Sequence, residues 1–134
     1  MKSVLISDTR QFYSVHVSEN AMNFAEAKDY CLSLGLRLIR PQSSSETSNF
    51  VRIVSEDFGG VDFWMGISDE MEKGNWTDIH TGRPMMYFRN WDDGEAVKNE
   101  TDNHHAVFKT SNDGVWSAAN GKIANGTRAG CIRG

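Results

Sequence analysis

In the first part of the chain, hydrophobic and polar positions alternate with the period of a β-strand and then repeat with the period of an α-helix. Residues 3–17 alternate in places between apolar and polar side chains, with a polar break at residues 7–10, which predicts an opening β-hairpin. Asn23 and Glu26 then have the spacing of a capping box, and Gly35 stands where a helix would end. A first helix is therefore predicted, with an apolar stripe formed by Phe24, Ala27, Cys31 and Leu34.

A second helix is predicted shortly after the first. Residues 36–39 form a short apolar run that ends at Pro41, which indicates a strand. Ser43 and Glu46 repeat the capping-box spacing, and Gly60 lies where the helix would stop. The apolar side chains expected on this helix are Phe50, Ile53 and Val54.

From residue 61 onwards, short apolar runs are separated by polar turns that contain glycine. The runs that we interpret as strands are residues 62–67, 85–88, 106–108 and 114–116. Two helices followed by a strand-rich half predict an α+β fold. A chain of 134 residues has the size of one domain, so we expect a single domain over residues 1–134.

Residues 92–105 are polar and show no periodicity. A long irregular loop in a compact domain usually carries function, because loops lie on the surface and tolerate the polar side chains that binding needs. Any ligand is therefore expected to bind there. His104 and His105 are adjacent and should face opposite ways, one in a surface hydrogen bond and one partly packed; the alternative is a pH-sensitive contact.

Composition and charge exclude several classes of function. The formal net charge is −4 and Lys and Arg form no basic run, so nucleic-acid binding is not expected. No apolar stretch approaches the roughly 20 residues that span a bilayer. The sequence contains no GxSxG, HExxH, P-loop or paired CxxC motif, and no spacing of carboxylates singles out an acid and a base, so an enzyme is not expected. The cysteines, Cys31 and Cys131, fit either two free thiols or one disulfide.

The order of short motifs along the second half is similar to that of the C-type lectin-like domain. Trp64-Met65-Gly66-Ile67 resembles the W-I-G-L signature of that family. Motifs at family-like positions follow it: Gly74-Asn75-Trp76, Asn90-Trp91, Gly94-Glu95, Gly114-Val115-Trp116 and Gly130-Cys131-Ile132. The resemblance implies two helices flanking antiparallel sheets, a long irregular loop, and a non-enzymatic recognition domain. It also favours core packing over sugar stacking for Trp64, Trp76, Trp91 and Trp116.

The resemblance also resolves the choice left open by the two cysteines. In this family a cysteine on the first helix bridges to one on the last strand, which implies a disulfide between Cys31 and Cys131. A disulfide implies an extracellular or secreted protein. In a secreted chain, the sequons at Asn75, Asn99 and Asn125 would be sites for N-linked glycans.

The calcium ligands of sugar-binding relatives are largely replaced here. Glu95-Ala96-Val97 stands in place of an E-P-N or Q-P-D triplet, Asn103 replaces a later acidic residue, and Trp116-Ser117-Ala118 replaces W-N-D. Asp69 resembles a ligand of the auxiliary calcium site of the family. No cofactor is expected, since calcium requires about six to eight oxygen ligands. The alternative is a rearranged calcium site formed by Asp92, Asp93, Glu95 and Asp102.

These observations lead to one functional hypothesis and one alternative. The hypothesis is a domain that binds a glycan or glycoprotein without the usual calcium site, through direct hydrogen bonds from Glu95, Asn99, Asp102 and Asn103. The alternative is calcium-independent recognition of a protein by the same loop, because the fold alone does not choose between them. A homo-oligomer is compatible with both.

Overall fold

The structure is a computed structural model that describes residues 3–8, 13–18, 20–41, 44–58, 60–71, 75–84, 90–91, 104–110, 114–122 and 126–132. Within these ranges the chain forms two helices and eight strands, which confirms the predicted α+β class. In chain order the elements are β1 Ser3–Asp8, β2 Tyr13–Ser18, α1 Phe24–Ser33, β3 Arg37–Leu38, α2 Ser44–Phe58, β4 Asp62–Ser68, β5 Thr77–Asp78, β6 His105–Lys109, β7 Val115–Ala119 and β8 Arg128–Ile132. The strand predicted at residues 85–88 lies outside the described residues.

The strands lie in the order β1-β2-β8-β4-β6-β7, with β3 added on β8 and β5 on β4. The predicted hairpin is present as β1 and β2, which pair antiparallel. β2 pairs antiparallel with β8, and β8 runs parallel to β4. The last strand therefore joins the opening hairpin to the strand-rich half of the chain.

Helix α1 begins and ends where the sequence predicts. The Asn23 side chain accepts a hydrogen bond from the Glu26 backbone N–H, and the Glu26 carboxylate accepts one from the Asn23 N–H, so the capping box is complete. Gly35 follows the helix in the left-handed conformation. The prediction that Leu34 lies on the buried stripe is wrong: Leu34 is the C-cap and is 42% exposed. Its backbone has already left the helix, so its side chain no longer follows the stripe.

The core consists of two clusters on the sheet. In the first, Phe50 of α2 packs edge-to-face against Phe63 and Phe108, with ring centroids 5.4 and 5.0 Å apart. In the second, Trp64 lies among residues of α1 and β8, and its indole N–H donates to the Met22 carbonyl at 2.7 Å. The W-I-G-L-like strand thus supplies one large aromatic ring to each cluster.

The disulfide between Cys31 and Cys131 is present, which confirms the pairing implied by the family resemblance. It joins α1 to β8 across a sequence separation of 100 residues, and both cysteines are fully buried. No helix among the described residues is long and apolar enough to cross a membrane.

Candidate functional site

The predicted ligand-binding residues all belong to residues 92–103, which lie outside the described part of the chain. This applies to Glu95, Asn99, Asp102 and Asn103 and to the alternative calcium ligands Asp92 and Asp93. The assignment of these residues to a site therefore stays a prediction. The structure does describe the two ends of this segment, at Trp91 and His104.

The N-terminal end of the segment is fixed to β7 by backbone and aromatic contacts. The Trp116 N–H donates to the Asn90 carbonyl at 2.9 Å, and the Asn90 side-chain amide donates to the Gly114 carbonyl at 2.9 Å. The centroid of the Trp91 ring lies 4.6 Å from the centroid of the Trp76 ring and 5.3 Å from that of the Trp116 ring. The core-packing prediction is confirmed for the buried Trp64, Trp76 and Trp116, whereas Trp91 is only half-buried.

The C-terminal end is fixed to the end of β4 by two histidines and two acids. The Asp69 backbone N–H donates to the His104 carbonyl at 3.1 Å, and His104 Nδ1 lies 3.0 Å from Asp69 Oδ1. His105 Nε2 lies 3.3 Å from Glu70 Oε1. Asp69 is only 4% exposed, so a hydrogen bond from the imidazole N–H helps to compensate the buried carboxylate. We call these four residues the histidine–acid clasp.

His105 is the buried half of the clasp. Its ring centroid lies 4.0 Å from that of Phe24, and a side chain on Gly121 would collide with it. Its Nδ1 atom is buried and has no hydrogen-bond partner among the residues that the structure describes. Burial lowers the pKa of His105 below its ordinary value, although Glu70 acts in the opposite direction. His104 forms the surface hydrogen bond and His105 the packing contact that were predicted for this pair.

The clasp includes Asp69, which resembles a calcium ligand of the family. One of its carboxylate oxygens receives the His104 imidazole, so that oxygen is already engaged within the protein. Among the described residues, no group of three or more His, Cys, Asp or Glu side chains is arranged to hold a metal ion.

A second polar cluster, which sequence reasoning missed, connects β3 with β5 and the turn after it. Arg40 forms an ion pair with the buried Asp78, whose carboxylate also accepts a hydrogen bond from the His80 backbone N–H at 2.8 Å. The Leu38 N–H donates to His80 Nε2 at 3.3 Å, so that nitrogen is unprotonated. In the sequence, the spacing of Asp78 and His80 is that of an Asx turn, and this local contact could have been predicted. The contacts with Leu38 and Arg40 join residues that are far apart in the chain, so no local pattern predicts them.

Burial lowers the pKa of His80, and neighbouring cations lower it further. After burial, the Asp78 carboxylate raises this pKa, whereas Arg37, Lys28 and Arg40 each lower it.

Comparison with known proteins identifies the family. A family model for the lectin C-type domain matches residues 20–126. C-type lectin domain family 3 member A of Mus musculus is 32% identical over 101 residues, which cover 75% of this chain and 50% of that protein. C-type lectin mosGCTL-7 of Aedes aegypti is 28% identical over 118 residues, covering 85% of this chain and 78% of the relative. The chain thus spans about half the length of the mouse protein.

Solved structures show the same fold at low sequence identity. Human lithostathine has a TM-score of 0.76 and 14% identity, and the match covers 90% of this chain and 91% of that chain. The human scavenger receptor C-type lectin carbohydrate-recognition domain has a TM-score of 0.71 and 17% identity, covering 90% and 88%. From the family match, the motif order and the shared fold, we conclude that this chain belongs to the C-type lectin domain family.

Proposed function

We propose that this chain is an extracellular, single-domain glycan-recognition module that binds its ligand through residues 92–103 without a calcium ion of the family type. The observation that carries the proposal is the attachment of both ends of this segment to one sheet. Trp91 bridges Trp116 of β7, and His105 pairs with Ala119 of the same strand. At about 3.3 Å per strand residue, these two points on β7 are about 10 Å apart.

A segment whose ends are close and fixed presents its side chains from a rigid base. The Trp91 packing and the histidine–acid clasp supply that base, since each combines a backbone hydrogen bond with side-chain contacts. Fixed ends limit the conformational entropy that is lost on binding. This arrangement supports binding by the segment and not by the helices, whose apolar faces are used in the core.

The residue types in the segment suit sugar hydroxyl groups. Carboxylates of Glu95 and Asp102 accept hydrogen bonds, and the amides of Asn99 and Asn103 both donate and accept. Direct hydrogen bonds to a sugar, without a metal ion, give a modest affinity for one site. Useful avidity then comes from several copies binding one glycosylated surface.

The chemistry of the donor set does not favour the calcium site of the family. Glu95 keeps the first carboxylate of the triplet, but Ala96 replaces its proline and Val97 offers no side-chain oxygen in place of its last ligand. Asp69 of the auxiliary site is hydrogen-bonded to His104. A rearranged site formed by Asp92, Asp93, Glu95 and Asp102 is the alternative that experiment must separate from this proposal.

The proposal is tested with a glycan array probed in calcium and again in a chelator. We expect the same glycans to be bound in both conditions. The quadruple variant E95A/N99A/D102A/N103A should lose this binding while its circular dichroism and melting temperature stay close to wild type. The matched control is D29A/S45A/S48A, which alters exposed positions on the two helices. If the helix variant lost binding and the loop variant kept it, the proposed site would be wrong.

Recognition of a protein by the same face is the second candidate, and one observation favours it. Met71 is 95% exposed directly beside Glu70 of the clasp. An exposed methionine suits an adaptable protein contact better than a sugar hydroxyl. Binding of a captured glycoprotein should disappear after enzymatic deglycosylation if the glycan is recognised. Binding that survives deglycosylation and is lost in Met71→Ser would support the protein ligand instead.

A further inference from the structure

An exposed asparagine within a glycosylation sequon stands at the start of the short strand β5. Asn75-Trp76-Thr77 fits the acceptor pattern Asn-X-Thr, in which X is any residue except proline. Asn75 is exposed, whereas the next residue, Trp76, is buried in the core. The core thus holds the middle residue of the sequon and leaves the acceptor residue in solvent.

The threonine of the sequon connects this segment to β4. Thr77 pairs with Ser68 in the antiparallel ladder, and its hydroxyl donates to the Ser68 carbonyl at 3.2 Å. The same register, continued by two positions, puts Asn75 opposite Glu70, at the strand spacing of about 4.8 Å. Met71, which is 95% exposed, directly follows Glu70. The acceptor asparagine and the exposed methionine are therefore neighbours at the same end of the β4–β5 hairpin.

We propose that Asn75 carries an N-linked glycan that covers Met71. In the transfer, the Nδ2 atom of Asn75 attacks C1 of an oligosaccharide held on a polyprenyl diphosphate. The C1–N bond forms and the amide loses one proton, while the bond from C1 to the diphosphate oxygen breaks and leaves its electron pair on the diphosphate. An N-linked glycan is bulky and hydrophilic, so it suits a residue that faces solvent in the folded protein, as Asn75 does.

The order of synthesis keeps the sequon accessible before the fold closes. β4 pairs with β6 and β8, and both of these strands follow residue 75 in the chain. The disulfide also requires Cys131, close to the C-terminal end of the last strand. Because chains are made from the N-terminus, the hairpin gains these neighbours only after Asn75 has been synthesised. The transferase can therefore reach Asn75 before the surrounding sheet is complete.

The proposal concerns Asn75 alone, because Asn99 and Asn125 lie outside the described residues. It goes beyond the proposed function, since it names a covalent modification and not a bound ligand, but it rests on the extracellular location proposed there. A glycan over Met71 would hinder a protein partner at that residue. It therefore favours glycan binding by the loop over recognition of a protein through Met71.

The first experiment maps the modification in protein secreted from cultured insect cells. Trypsin releases a peptide from Gly74 to Arg89, which contains this sequon and neither of the other two. We expect mass spectrometry to find an N-glycan on this peptide in wild type and in T77S, which keeps a hydroxyl at the third position. N75Q and T77A should lack the glycan, because each removes a group that the acceptor pattern requires.

The state of the two cysteines separates failure of this proposal from failure of the proposed function. Unmodified Asn75 in secreted wild type with an intact disulfide between Cys31 and Cys131 would overturn the proposal and leave the proposed function standing. Free thiols at both cysteines in the secreted protein would contradict the extracellular location on which both proposals rest.

The second experiment measures how far the glycan covers Met71. M71C, altered at an exposed position, is modified with N-ethylmaleimide and with a maleimide on a polyethylene glycol chain, before and after enzymatic release of the glycan. We expect release to speed the large reagent several-fold and the small reagent little, because a glycan hinders bulky groups more. In the control M71C/N75Q, neither rate should change. Equal rates before and after release in M71C would show that the glycan does not cover this position.

Discussion

At the scale of single residues, His105 and His80 link stability to pH. Burial lowers the pKa of both side chains in the folded state below the ordinary value of 6.5. Between pH 6.5 and the lower pKa of each histidine in the folded state, the unfolded chain binds more protons than the folded chain. The free energy of unfolding therefore falls as the pH is lowered through this window.

We expect His105→Gln to flatten this pH dependence, because glutamine cannot take up a proton. The measurement is urea unfolding at pH 7.5, 6.0 and 5.0. The quantity to compare is the slope of the free energy of unfolding against pH, because the variant also loses the contact with Phe24 and its absolute stability changes for that reason. The double variant H80Q/H105Q should be flatter still. A slope as steep in H105Q as in wild type would mean that His105 titrates normally in the folded protein.

A second expectation at this scale concerns Gly121. A side-chain carbon at this position would collide with the His105 ring and come within 2.9 Å of Phe24 Cβ. Gly121→Ala should therefore lower the free energy of unfolding by about 1–3 kcal/mol. The exposed neighbour Lys122 is the control, and Lys122→Ala should change stability by less than about 0.5 kcal/mol. Equal stabilities of the two variants in thermal unfolding would contradict the packing described around His105.

The residues that the sequence predicted well are those governed by local rules. The capping box at Asn23 and Glu26 and the glycine after α1 depend on neighbours within a few positions, and both are present. The acidic partner of His104, in contrast, lies 35 residues away. No period or spacing predicts such a contact, so the clasp emerged only from the structure.

At the scale of secondary-structure elements, the helices and the hairpin followed from hydrophobic period, whereas the sheet order did not. β8 pairs with β2, β3 and β4, which are distant in sequence and include one parallel neighbour. Strand pairing of this kind is set by the burial of whole faces and not by local residues. The family resemblance implied antiparallel sheets and gave no strand order, so the parallel pairing of β8 with β4 was not predicted. The loop was predicted as the binding segment, and its residues lie outside the described ranges.

The disulfide connects α1 with β8, two elements that are distant in the chain. Cross-linking residues separated by 100 positions restricts the unfolded chain, and the loss of such a native bridge typically costs about 2–5 kcal/mol. We expect C31A/C131A to be destabilised by an amount in this range in urea unfolding. Reduced wild type, which keeps both sulfur atoms, separates the cross-link from the packing of two buried side chains. A reduced protein as stable as the oxidised one would show that the bridge contributes little.

At the scale of the whole molecule, the loop proposal relies on polar side chains between two ends that are attached to one sheet. Binding of an uncharged glycan should depend little on salt, because salt screens exposed charges, within about 10 Å at 0.1 M, and does not screen hydrogen bonds to uncharged sugar hydroxyl groups.

The effect of calcium on the melting temperature tests the proposal that the loop binds its ligand without this ion. A ligand that binds only the folded state raises stability by RT ln(1 + [L]/Kd), which is about 2.7 kcal/mol at a hundredfold excess over Kd. Because Val97 lacks the side-chain oxygen of the triplet's last ligand and Asp69 is engaged with His104, we expect millimolar calcium to leave the melting temperature nearly unchanged. Magnesium and a chelator serve as controls for ionic strength and for carried-over metal.

A rise in melting temperature that is specific to calcium and reversed by a chelator would instead indicate the rearranged site. In that case D92A/D93A should abolish the rise, because about six to eight oxygens are needed and these two carboxylates belong to the proposed set.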